Sequence, residues 1–174
     1  MNTALLILRL VLGMAMAAHG SQRLFGWFGG YGLKGTGAFF QSIGFRPGIR
    51  FALAAGLTEF LSGLLVALGL GGPIGPALMA SVMLVGIVTV HAGHGFFAAT
   101  NGVELPLLYL TGAVAVAFAG SGQYSLDHMI GLDSVFPQVA SLIALALGVL
   151  GALAKVTARE TKPAIKPSSI PAQR

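Results

Sequence analysis

The chain has 174 residues, 55% of them hydrophobic and 9% charged, with a formal net charge of +5 and no cysteine. A soluble domain carries roughly 25% charged residues, because its outside must face water. The class is therefore integral membrane protein. The missing thiols exclude disulfide relays, thiolate metal sites, iron–sulfur clusters and c-type haem attachment. Nine of the ten basic residues lie in one loop and the C-terminal tail. That is a topology signal, and a nucleic-acid partner is not expected.

A bilayer core of about 30 Å needs roughly 20 apolar residues as helix. The expected fold is all-α, a polytopic bundle with spans over about residues 4–20, 49–70, 74–98, 105–120 and 136–154. These runs are too long and continuous for strands. The first span contains Ala15-Met16-Ala17, which has the small-residue pattern of a signal cleavage site. No cation precedes its apolar run and Arg9 sits inside it, so retention as a span is expected.

The segment after the first span, through the start of the second, carries Arg23, Lys34, Arg46 and Arg50. Six glycines fall between Gly26 and Gly37, interleaved with Trp27, Phe28 and Tyr31. An interfacial helix is predicted over residues 34–43, ended by Gly44 and Pro47. The run from Gly30 to Gly37 lacks G-K-[ST] and a preceding strand, so it is not a phosphate loop.

The loop over residues 121–135 has no Lys or Arg, whereas the chain from Lys155 to Arg174 has five. Five spans set both basic segments on one side. The expected topology is a multi-pass membrane protein with its N-terminus outside and its C-terminus cytoplasmic. Residues 1–155 form the transmembrane domain. Residues 156–174, with Pro163, Pro167 and Pro171 among basic and polar residues, are expected to be a disordered tail near anionic lipid.

Charges inside a bilayer are costly and usually have partners. Arg9, Gly13, Ala17 and Gly20 share one stripe of the first span; Ala52, Gly56, Glu59 and Gly63 share one of the second. Small residues mark close helix approach. At about 1.5 Å per residue the two charges fall within roughly 10 Å in depth, so an Arg9–Glu59 ion pair is expected. Two roles stay open for it: a structural lock, or a Glu59 that titrates during transport or redox chemistry.

His19 ends the first span with Gln22 and Arg23 just beyond it, His91 and His94 share a face of the third, and Glu104 opens the fourth. His19, Gln22, Arg23, His91 and Glu104 are expected to converge below the glycine-rich loop, its aromatics forming the walls of a pocket for a quinone-like molecule. The competing reading is that these groups only satisfy one another. The H-x-x-H spacing lacks the glutamate of zinc motifs, and neither tightly bound metal nor haem is expected.

The same residues resemble the DoxX family of small bacterial membrane proteins. The likeness runs through Arg9-Leu10-Val11-Leu12-Gly13, His19-Gly20-Ser21-Gln22-Arg23-Leu24-Phe25-Gly26 and Phe28-Gly29-Gly30-Tyr31-Gly32-Leu33. It continues in Gly44-Phe45-Arg46-Pro47-Gly48, Ala55-Gly56-Leu57-Thr58-Glu59, His91, Gly95-Phe96-Phe97, Glu104 and Ser125-Leu126-Asp127. The resemblance implies a four-helix membrane core, here extended by a fifth span. It also implies a link to quinone chemistry, since the family takes its name from a subunit of a thiosulfate:quinone oxidoreductase. Leu105 stands where the family often has an aromatic residue.

Two function classes follow. One is a membrane subunit of quinone-linked or redox-stress complexes, with a soluble or membrane oxidoreductase as partner. The other is a non-catalytic assembly or scaffold protein. A small-molecule transporter is a third reading, for which a homo-oligomer would supply the path. The chain has no redox-active side chain of its own, so whether it is an enzyme stays open.

Overall fold

The computed structural model describes residues 2–160, all helical or irregular. The expected tail lies outside the described residues from residue 161 onward. The chain forms α1 (Asn2–Phe25), α2 (Gly32–Ser42), α3 (Gly48–Leu68), α4 (Ile74–Gly86), α5 (Glu104–Ala119), a one-turn α6 (Leu126–Met129) and α7 (Gln138–Thr157). Glycines and prolines punctuate these elements. Pro47, Pro73 and Pro137 precede α3, α4 and α7, while Gly69 ends α3 in the left-handed region at φ 62°.

All five expected spans are helices, and the interfacial helix is present as α2. α1, α3, α4 with its continuation to His94, and α7 are long and apolar enough to cross a bilayer; α5 is apolar but has 16 residues. Two boundaries differ from expectation. α1 runs five residues past Gly20, because Ser21 folds its hydroxyl back onto the Ala17 carbonyl and Arg23 suits the carbonyl end of a helix. The third span stops being α-helical at Gly86, continues as a π turn over Ile87–His91, and ends in a 3₁₀ turn over Ala92–His94.

α3 is the central helix, packed against α1, α2 and α4; α5 and α7 flank α4. Met16, Val66, Met79, Ala80 and Ala113 bring α1, α3, α4 and α5 to one core. A second core joins Phe45, Val85 and Ala152 from the α2–α3 corner, α4 and α7. The outer faces stay apolar: Ile7, Val11 and Met14 on α1, and Leu142, Leu147 and Leu150 on α7, are all exposed. That belt suits hydrocarbon rather than water.

α1 and α3 approach backbone to backbone. A Cβ on Gly13 would lie 2.5 Å from the Ala67 nitrogen, and one on Gly63 or Gly20 would collide with the backbone of Ala17 or Phe60. Facing residue numbers therefore sum to 80: Gly13 with Ala67, Ala17 with Gly63, Gly20 with Phe60. This register corrects the expected Arg9–Glu59 pair. Arg9 lies at the level of residue 71, so Glu59 is twelve residues, or roughly 18 Å, farther along the axis.

Arg9 is instead 2% exposed at the other end of the bundle, where α3 and α5 finish. Its guanidinium donates to the carbonyls of Ala67, Ser121 and Tyr124. Asp127, fully buried beside it, accepts from the amides of Gly71 and Gly72 at 2.9 and 2.7 Å and from the Ser121 hydroxyl at 2.7 Å. The two charges thus tie α1 to the α3–α4 and α5–α6 connections, with Ser121 bound to both.

Replacing Gly63 by Val should push α1 from α3 and lower stability by about 1–3 kcal/mol. Gly93→Ala, where a Cβ meets nothing within 4 Å, should change little. Thermal unfolding of the detergent-solubilised protein measures both.

Candidate functional site

At the end of the bundle that carries α2, the helices part around a cavity of about 230 Å³. α1 contributes His19 and Arg23, α3 contributes Phe51 and Glu59, and the turn after α4 contributes Thr89 and His91. α5 adds Leu105, Pro106 and Tyr109, and α7 adds Lys155. Of the lining residues, His19, Phe39, Ala54 and Leu105 are exposed, so the cavity is open to the surface.

Glu59 is the most deeply placed of the polar groups, 1% exposed. The α1–α3 register brings Arg23 to it, and Arg23 Nε donates to Glu59 Oε2 at 2.6 Å. This is the ion pair that α3 makes, in place of the expected one with Arg9. The Arg23 guanidinium carbon also lies 5.9 Å from the centre of the Phe40 ring, within cation–π range.

His91 is the last residue of the π turn, a distortion frequent at functional sites. Its Nδ1 lies 2.7 Å from the Asn101 carbonyl oxygen. A carbonyl only accepts, so Nδ1 carries a proton, and in the neutral ring Nε2 is the acceptor. His94 Nδ1 is held by the Val90 carbonyl at 2.8 Å, so the two histidines do not share a partner. No group of three or more His, Asp or Glu side chains among the described residues is placed to hold a metal ion. His19 packs edge-on against Tyr109, with ring centres 5.9 Å apart.

The predicted cluster is thus divided. His19, Arg23 and His91 line the cavity. Gln22 does not; its Nε2 donates to the Phe28 carbonyl at 3.2 Å and ties down the glycine-rich loop. Glu104 does not either; it accepts from the Ala98 amide at 2.8 Å and closes the turn before α5. The walls also differ from expectation. Trp27, Phe28 and Tyr31 of the glycine-rich loop point outward, with Tyr31 88% exposed. Phe39 and Phe40 of α2, Phe45 of the corner and Phe51 of α3 form the wall instead, Phe45 stacking at 5.5 Å on Phe40 and 5.0 Å on Phe51. The reason is local: α2 buries its Thr36–Gly37 side against the start of α3, which turns its phenylalanines to the cavity.

Sequence reasoning missed Tyr109 and Lys155. Tyr109 carried a readable signal, since it stands one helical turn after Leu105, on the same face of α5. Lys155 was read with the basic tail.

The family model described as DoxX matches residues 4–92, just over half of the chain, and the chain belongs to the DoxX family. Neither the comparison with curated proteins nor that with solved structures finds a match. The matched part spans α1 to the π turn. Leu105, Tyr109 and Lys155, which complete the cavity, lie beyond it.

Removing Arg23 strands the buried Glu59 carboxylate and should cost about 3–5 kcal/mol. Glu59→Ala should cost less, because the Arg23 side chain is 34% exposed and regains water. A double-mutant cycle should find these two coupled, whereas Arg9→Ala and Glu59→Ala should add within about 0.5 kcal/mol. Unfolding in detergent checks both cycles.

Proposed function

We propose that this DoxX-family membrane protein binds a small amphiphile with a quinone-like head in the cavity, as the membrane subunit of a redox-linked assembly. The observation that carries this reading is a cavity with an aromatic wall and unspent polar groups. The His19 ring, the Tyr109 hydroxyl and His91 Nε2 make no hydrogen bond to any described residue, yet all three side chains face the cavity. An apolar pocket with a few converging polar groups is the usual form of a small-molecule site.

The size agrees with a single ring. A cavity of about 150 Å³ holds one benzene, so 230 Å³ leaves room for a substituted ring and the first atoms of a tail. Phe39, Ala54 and Leu105, the exposed apolar residues of the lining, let the rest of a tail lie in lipid. The chain supplies hydrogen bonds and charge but no redox couple, having no cysteine. Electrons would come from a partner oxidoreductase, and the protein's share is to bind and orient the ring.

The cavity end is the basic end: Arg46 in the α2–α3 corner meets Glu160 beyond α7 at 3.5 Å. By the positive-inside rule this end faces the cytoplasm and the Arg9–Asp127 end faces outward. A cytoplasm-active reporter fused after Arg174 should be active; activity of a periplasm-only reporter there would reverse the orientation.

2-Decyl-1,4-benzoquinone should bind the solubilised full-length protein. Tyr109→Phe should weaken that binding by about tenfold, through the lost hydroxyl donor to a quinone carbonyl, and leave the melting temperature nearly unchanged. Equal binding by the two proteins, or a loss that only tracks unfolding, would overturn the reading.

A further inference from the structure

Lys155 lies on the last turn of α7, half-buried, and lines the cavity. A buried or half-buried ammonium ordinarily has an acidic neighbour. The whole chain has five acidic side chains, and each is engaged elsewhere. Glu59 holds Arg23, Glu104 holds the Ala98 amide, and Glu160 meets Arg46. Asp127 holds Gly71, Gly72 and Ser121, and Asp133 holds His128 at 2.6 Å. Inside the cavity the Arg23–Glu59 pair is neutral as a unit, and His19, His91 and Tyr109 are the other titratable groups that face it. The site is left with one cation that no carboxylate side chain neutralises.

Lys155 is also held in place. Just after α7, Arg159 donates Nε to the Ile43 carbonyl, and the Glu160 amide donates to the Gly44 carbonyl at 2.9 Å. Ala152, one turn before Lys155, is buried against Phe45 and Val85. The end of the fifth span is therefore strapped to the α2–α3 corner, and the lysine stem enters the cavity from a fixed turn.

We propose that the cavity selects an amphiphile whose head carries an anionic oxygen, and that Lys155 is the residue that reads the charge. This rests on the reading that the cavity binds an amphiphile, and it ranks an ionised head above a neutral quinone. A neutral ring or alcohol would leave the ammonium without a counter-charge in a partly desolvated site. A carboxylate, a phosphate monoester or an acidic hydroxyl supplies that counter-charge through a charge-assisted hydrogen bond. The remaining lone pairs of such a head can accept from the Arg23 guanidinium, of which only Nε is occupied by Glu59.

The test is equilibrium binding to the full-length protein in a neutral maltoside detergent, with four probes: dodecanoate, dodecyl phosphate, dodecanol and 2-decyl-1,4-benzoquinone. Wild type should bind dodecanoate or dodecyl phosphate at least about tenfold tighter than dodecanol, the scale of one charge-assisted hydrogen bond. The tighter of the two anions identifies a carboxylate or a phosphate source. Lys155→Met should reduce that preference to within about twofold, and Lys155→Arg should keep it. Lys155→Gln serves if the Met variant does not fold, judged by thermal unfolding. Equal binding of dodecanol and both anions, or a preference that survives Lys155→Met and Lys155→Gln, would overturn the proposal; the lysine would then only snorkel to the interface. Binding of the benzoquinone without any anion preference would sink this proposal and leave the amphiphile site standing. Binding of none of the four would sink both.

Discussion

Two helices touching through their backbones fix the rest of this bundle. Gly13 and Gly20 of α1 and Gly63 of α3 leave no room for a Cβ, so the helices cannot slide past one another without a clash. A membrane offers no hydrophobic drive between helices, and close packing of small residues is one of the few forces available. Once the facing positions sum to 80, each charge has its depth. Arg9 falls among the carbonyls where α3 and α5 end, and Arg23 falls on Glu59. Sliding by one helical turn would strand a buried carboxylate and a buried guanidinium together, and each stranded charge costs several kcal/mol. Packing and charge therefore enforce the same register.

The sequence made the bundle legible and its register illegible. Composition alone requires a membrane protein, and the length of each apolar run locates five spans to within a few residues. The stripe of Arg9, Gly13 and Gly20 on one helix and of Gly56, Glu59 and Gly63 on the other identifies the faces that meet; all six are buried. Periodicity gives a face but not an offset along the axis. The offset depends on where α1 ends, and Ser21, Gln22 and Arg23 look like loop residues until their helix is seen to continue. Five residues of helix are enough to exchange one arginine for the other.

A similar gap explains the site. His19, Arg23 and His91 were legible because polar residues in an apolar run stand out. Gln22 and Glu104 stand out in the same way, yet they serve the backbone of the adjoining loops. Sequence shows that a polar side chain needs a partner, not whether that partner is a nearby carbonyl or amide, or a distant cavity. The aromatic wall was hidden for another reason. Trp27, Phe28 and Tyr31 sit in a glycine-rich loop that draws attention, while Phe40 and Phe45 read as the ordinary apolar residues of an interfacial helix and its turn. Tyr31 at 88% exposure is placed as an interface anchor would be.

The two ends of the bundle use polar groups in opposite ways. At the Arg9 end, Asp127 accepts three hydrogen bonds and Arg9 donates to three carbonyls, which leaves Arg9 Nε as the one buried side-chain atom without a partner among the described residues. A network that complete gives a rigid closure and has little left with which to hold a ligand. At the other end the helix geometry itself loosens. α4 passes into a π turn, His91 spends one nitrogen on Asn101, and Arg23 spends one of three on Glu59. The remaining donors and acceptors face a cavity with an aromatic wall. The rigid end supplies the reason the open end can persist: α1 and α3 are locked along their length, so the cavity is bounded by helices that cannot collapse into it.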